Sequence, residues 1–165
     1  MKIVLVLFAV AGLSGCQSPK MTAADVQKCT VVNDVPAKHE RHVEAPTIGG
    51  PGFQKSCLRA LLREGNVAMY SLEHLQAGWE WSDLKSATDG NGRSLAMERV
   101  MYGTSGTSKM RNEVVRVQLL REDLASAARA GGLIVHLHGD KKSVDVQFPA
   151  YYVEGFLARV DATGW

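Results

Sequence analysis

Val115–Val160 reads VRVQLLREDLASAARAGGLIVHLHGDKKSVDVQFPAYYVEGFLARV and has the clearest pattern of secondary structure in the chain. Apolar residues alternate along its first positions, Val115, Val117 and Leu119, which predicts a strand. The next segment, Arg121–Ala130, has the pattern of a helix, and Gly131 provides a typical helix end. The stretch therefore begins with a strand followed by a helix.

Two further strands, Leu133–His138 and Ser143–Phe148, flank a polar turn at Gly139–Lys142. Pro149 stands at a typical first helical position and opens a last helix. The apolar face of that helix consists of Tyr152, Phe156, Leu157 and Val160. The order strand, helix, strand, strand, helix indicates a small single α+β domain. This order of elements is loosely similar to that of periplasmic docking domains, such as the N-terminal domains of secretins and related secretion-system lipoproteins.

The hairpin has one register that keeps its apolar residues on one face. That register pairs Leu137 with Val144, Val135 with Val146 and Leu133 with Phe148. It also places His136 opposite Asp145 on the outer face.

The sequence before this stretch is harder to interpret. Phe53–Glu64 has apolar residues at helical spacing and predicts a helix that ends at Gly65. Ser71–Gln76 and Ser82–Lys85 resemble short helical turns, Asp89–Gly92 predicts a loop, and Ser94–Tyr102 fits helix and strand equally.

The polar segment 16–52 is rich in proline and glycine and predicts a tether with an irregular arm. Within it, Thr22-Ala23-Ala24-Asp25 has the form of a capping box, which favours a short helix running toward Cys29. We therefore divide the chain into a leader (1–15), a tether and arm (16–52) and an α+β domain (53–165).

The leader has the organisation of an export signal. Lys2 precedes an apolar run, Ile3–Leu13, which ends in the small residues Ser14 and Gly15. A membrane-spanning helix needs roughly 20 apolar residues, about twice the length of this run. We expect cleavage rather than a transmembrane anchor.

Leu13-Ser14-Gly15-Cys16 resembles the lipobox of bacterial lipoproteins. The resemblance implies cleavage before Cys16 and attachment of acyl chains to that residue, which anchor a protein without any spanning helix. Gln17 stands where lipoproteins retained at the inner membrane of Gram-negative bacteria typically carry Asp. In such a host the resemblance implies an outer-membrane lipoprotein that faces the periplasm.

With Cys16 acylated, Cys29 and Cys57 remain, in a compartment where disulfides form. Pairing them is the simplest interpretation. Two free thiols are one alternative, and a redox or metal role is another, although Cys-x-x-Cys spacing is absent.

The formal net charge of +2 implies no strong electrostatic partner, so we expect no nucleic acid. The chain lacks the Gly-x-x-x-x-Gly-Lys-Ser/Thr pattern, and we expect neither a nucleotide nor any other cofactor.

Two groups of residues are candidates for a site. His136, His138 and Asp145 share the outer face of the hairpin and could bind a metal or act as a general base; a solvated His–Asp pair is the alternative. Trp79 and Trp81 could stack on a glycan strand or bind a protein partner, and otherwise would be core aromatics.

These features predict a non-enzymatic binding or envelope-assembly module, held to the membrane by lipid, that binds another envelope protein or a cell-wall component. A periplasmic enzyme or metal-binding protein using His136, His138 and Asp145 is the first alternative. A subunit of a secretion or conjugation machine is the second.

Overall fold

The structure is a computed structural model that describes residues 21–50, 52–64, 66–105 and 110–163. The predicted leader (1–15) and Cys16 lie outside this range. No helix among the described residues has the length and apolar character needed to cross a membrane. Two antiparallel sheets and three α-helices form the described part, so the expected α+β class is confirmed.

The larger sheet contains the longest strands. Its strands are β1 (Val31–Val35), β2 (Glu40–Glu44), β3 (Ile48–Gly50), β4 (Phe53–Arg63), β5 (Asn66–Gly78), β8 (Met97–Ser105) and β9 (Met110–Leu119). Their spatial order is β1-β2-β4-β5-β9-β8, and β3 pairs with β4 beyond the end of β2.

The smaller sheet has the order β11-β10-β6-β7. Its strands are β6 (Leu84–Asp89), β7 (Ser94–Leu95), β10 (Gly132–Gly139) and β11 (Val144–Pro149), and the helices are α1 (Ala23–Cys29), α2 (Arg121–Ala130) and α3 (Ala150–Asp161). The core lies where the inner faces of both sheets meet the helices.

The predicted helix at Phe53–Glu64 is wrong, because this segment is β4. Its core-facing residues alternate with period two and comprise Gln54, Ser56, Leu58, Ala60 and Leu62. Two of the five are polar, which hid the alternation. The strand pairs along its length with β5, which likewise replaces the helical turn expected at Ser71–Gln76.

The interpretation of residues 16–52 as an irregular arm is also wrong for the described part. β1, β2 and β3 form one side of the larger sheet. β2 and β3 pair with β4, and β1 pairs with β2; these ladders supply the hydrogen bonds that a short polar strand cannot satisfy alone. The short helix predicted from Thr22 is confirmed as α1, with both hydrogen bonds of the Thr22–Asp25 capping box present.

The structure of the last third of the chain agrees closely with the prediction from its sequence. α2 has the predicted bounds and ends at Gly131, whose φ of 104° suits glycine. The hairpin of β10 and β11 has the predicted register, with Leu137 opposite Val144 and His136 opposite Asp145. The predicted face of α3 is buried in the core.

α1 and α3 pack against each other at Gly155. A Cβ atom at this position would overlap the carbonyl oxygen of Ala23 and lie 2.7 Å from the Cβ of Val26. Val26 and Phe156 beside it are fully buried. The absence of a side chain at Gly155 thus allows the N-terminal helix to close the core.

We expect Gly155→Ala to lower the free energy of unfolding by about 1–3 kcal/mol, because the added methyl group must push α1 away from α3. Chemical denaturation measures this change. Gly103→Ala is the control, since a Cβ there meets no atom within 4 Å. Equal stability of the two variants would contradict the proposed close packing.

Candidate binding cleft

Trp79 and Trp81 follow the end of β5 but have different surroundings. Trp79 is 70% exposed. Trp81 stacks on Tyr102 of β8, with ring centroids 3.7 Å apart and an interplanar angle of 18°. One ring is therefore presented to solvent and the other is held against the larger sheet.

Two arginines reinforce this stack. The guanidinium of Arg111 lies 5.5 Å from the centroid of Trp81, and that of Arg99 lies 4.4 Å from the centroid of Tyr102. Cations at these distances are attracted to the electron-rich ring face. Tyr102 and Arg111 contact the ring of Trp81, and Arg99 packs on Tyr102, so the orientation of Trp81 is fixed.

The carboxylate of Glu113 on β9 holds the loop after Trp81. Glu113 is only 2% exposed. It accepts hydrogen bonds from the backbone N–H groups of Asp83 (3.1 Å) and Leu84 (2.8 Å). Asp83 has a left-handed φ of 54°, and its side chain accepts a 2.8 Å hydrogen bond from Arg99. These bonds determine where the chain passes from the larger sheet to the smaller one.

The hairpin turn Gly139–Lys142 lies against this same loop. The backbone N–H of Asp140 donates to the carbonyl of Asp83 (3.2 Å), and that of Lys141 donates to the carbonyl of Ser82 (3.3 Å). A Cβ at Gly139 would overlap the Ser82 carbonyl, so only glycine permits this approach. The contact brings two lysines beside the tryptophans.

Together these segments line an open cleft with a volume of about 550 Å³. Its lining combines aromatic, polar and charged side chains: Phe53, Trp79 and Trp81; Gln54, Gln76 and Ser82; Glu80, Lys141 and Lys142. Small-molecule sites in proteins have volumes in the range of roughly 300–1,000 Å³ and a similar mixture of apolar walls and a few polar groups.

The polar side of the cleft continues a polar end of the larger sheet's inner face. Rows of paired residues change from Leu58, Leu72 and Val117 to Gln54, Gln76 and Glu113. Within the described chain, Ser82 Oγ is buried without a hydrogen-bond partner, whereas Gln76 interacts with the ring of His74. Polar side chains therefore form the base of the cleft.

Between these rows lies a serine–histidine pair that the sequence did not suggest. Ser56 Oγ is 2.8 Å from His74 Nδ1, and both residues are buried. Burial lowers the pKa of His74 to about 4, against a smaller opposing effect of Gln76, so the ring is neutral at pH 7. His74 shares the period-two face of β5 with the apolar residues Tyr70 and Leu72, and this spacing was the available signal that it is buried.

His136, His138 and Asp145 lie on the outer face of the smaller sheet. His136 Nδ1 is 2.7 Å from Asp145 Oδ1, whereas His138 Nε2 is 3.0 Å from Thr88 Oγ1. Within residues 21–163 where the structure describes the chain, no three His, Cys, Asp or Glu side chains are arranged to hold a metal. The structure therefore gives a surface His–Asp pair.

Cys29 and Cys57 are free thiols, contrary to the expected disulfide. Cys29 is exposed at the end of α1, while the pleat of β4 turns Cys57 away from the core side on which Leu58 and Val26 lie. Burial raises the pKa of Cys57 to about 12, so its thiol stays protonated at neutral pH.

Thiol labelling of the native protein should therefore separate the two cysteines. We expect Cys29 to react with iodoacetamide and Cys57 to react only after unfolding, because its thiol is buried and protonated. Peptide mass mapping measures the reaction at each residue, with a Cys29→Ser variant as control. Recovery of both thiols only after reduction would instead demonstrate the disulfide.

Comparison with known proteins provides no relative: no family model, no curated protein and no solved structure matches this chain. Function is therefore inferred from the geometry of the cleft. The sequence identified Trp79 and Trp81, but it assigned Phe53 to a helix and did not associate Lys141 and Lys142 with the tryptophans.

Proposed function

We propose that this protein is a non-enzymatic binding module of the bacterial envelope, anchored by lipid at Cys16, which binds another envelope component in the cleft around Trp79. The observation that carries this proposal is the cleft itself. It presents exposed aromatic rings beside polar and basic groups on a rigid base.

The exposure of Trp79 and Phe53 is unusual for such large apolar side chains, at 70% and 65%. Both line the same cleft. Burying aromatic rings at an interface contributes strongly to binding, and such rings often dominate the binding energy. An exposed aromatic pair, with Phe53 at the start of β4 and Trp79 just after the end of β5, thus favours recognition over a purely structural role.

The anchor is supported by Leu13-Ser14-Gly15-Cys16 and the apolar run before it. Only residues 17–21 separate Cys16 from the capping residue Thr22 of α1. Five residues span at most about 18 Å when fully extended. The domain would therefore act close to the membrane surface, on the periplasmic side of the outer membrane if the host is Gram-negative.

The alternative of an enzyme or metal-binding protein receives less support. It needs His136, His138 and Asp145 to converge with a further ligand in a concave site. Instead, His138 is paired with Thr88, and Asp145 is exposed on the sheet surface.

We expect Cys16→Ser to abolish incorporation of labelled palmitate and to release the protein from the membrane fraction, because the acylated thiol is lost. Metabolic labelling and fractionation of cells measure both effects. Cys29→Ser is the matched control and should retain label and membrane association. Labelling of the Cys16→Ser variant would contradict the anchor.

Cross-linking in intact cells tests the cleft. We expect a photoreactive residue at Trp79 to capture a discrete envelope component, because its exposed ring would contact the ligand. The control position is Leu120, a half-exposed apolar residue outside the cleft. Equal capture at the two positions, or none at Trp79, would overturn the proposal.

A further inference from the structure

We infer that the cleft binds a glycan carrying an anionic group, an inference that rests on the proposed binding function of the cleft. Three features of the cleft lie side by side and support this inference: exposed aromatic rings, a base lined by amide side chains, and a rim with two lysines that form no ion pair in the described chain. Each part matches a different portion of an acidic sugar chain.

The aromatic part suits the ring of a sugar. Trp79 and Phe53 present large, flat apolar surfaces at the cleft. Pyranose rings have a C–H face that packs on such surfaces through dispersion and the ring quadrupole. Trp81 beside them is stacked on Tyr102, so one aromatic side chain of the cleft is already fixed in orientation before a ligand arrives.

The polar base distinguishes a sugar from an acyl chain. Gln54 and Gln76 line the cleft beside the aromatic rings. An acyl chain in this position would lie against polar amide groups and return no hydrogen bonds to them, which is costly. Sugar hydroxyl groups both donate and accept hydrogen bonds and can satisfy them.

The basic rim supplies the charge preference. Lys141 and Lys142 are exposed, and within the described chain neither forms an ion pair. Their neighbour Asp140 is already paired with Lys85. Glu80 contributes one opposing charge, so the three side chains at the cleft leave a net positive charge. A carboxylate or phosphate on the ligand would form charge-assisted hydrogen bonds with the lysines.

The test is a set of titrations with the full-length protein in detergent, followed by calorimetry or by tryptophan fluorescence. Three probes separate the chemistry: a muramic-acid-containing glycan with carboxylates, a deacylated glucosamine disaccharide bisphosphate, and neutral chitotetraose. We expect one anionic probe to bind about tenfold more tightly than the neutral one, a difference lost at high salt. The preferred anionic probe identifies carboxylate or phosphate as the recognised group.

Variants assign the effect to the cleft. Trp79→Ala should weaken binding of all bound glycans by about tenfold, because stacking is lost. Lys141→Ala/Lys142→Ala should weaken only the anionic probe, to the level of the neutral one. Tyr151→Ala and Lys38→Ala are matched controls outside the cleft, and thermal melting verifies that each variant is folded.

The outcomes separate this inference from the proposed function. If Trp79 captures a polypeptide in cells and no glycan binds, the cleft is a binding site but the glycan inference is overturned. If charge makes no difference and the lysine variants bind normally, the anionic preference is overturned. If Trp79 captures nothing and no probe binds, both the inference and the proposed function fail.

Discussion

The arrangement of the two sheets depends on the hydrogen bonds that the Glu113 carboxylate accepts from the loop between them. This carboxylate belongs to β9 of the larger sheet and accepts the backbone N–H groups of Asp83 and Leu84, at the start of the smaller sheet. It is almost wholly buried, and Arg99 lies 3.5 Å from it. A buried carboxylate is tolerated only when its oxygens are hydrogen-bonded or paired, so its partners must stay in place. The loop beside Trp81 and the turn that carries Lys141 are positioned by this one acceptor.

A gradient of polarity along the larger sheet's inner face explains why a cleft forms at one end. The rows containing Leu58 and Leu72 pack in the core with α3 and the smaller sheet. The row containing Gln54 and Glu113 is also buried, but its side chains are polar and need hydrogen-bond partners rather than an apolar cover. The exposed rings of Phe53 and Trp79 lie just beyond this row. The cleft thus begins where the apolar core ends.

The outer face of the larger sheet has a different role. Arg59 pairs with Glu44 and Glu73, and Arg116 pairs with Glu73 and Glu98. These cross-strand pairs are partly solvent-exposed and contribute little individually. They extend across neighbouring strands and match charges on the open face, whereas Lys141 and Lys142 at the cleft lack such partners in the described chain. Charge on the sheet is compensated internally, and charge at the cleft remains for a ligand.

Residue patterns alone are enough to predict the local features of the C-terminal third. A strict alternation, the glycines after α2 and Pro149 before α3 specify elements and hairpin register through short-range sterics and pleat. The tripeptide Trp79-Glu80-Trp81 was also visible as a recognition candidate. Tertiary structure decided the rest, because β4 buries Gln54 and Ser56 on a core face and thereby conceals its period. It alone could bring Phe53, Trp79 and Lys141 to one cleft. Pairing of β4 with β5 places Phe53 near Trp79, and the hydrogen bond from Lys141 to the Ser82 carbonyl brings in a residue that is distant in sequence.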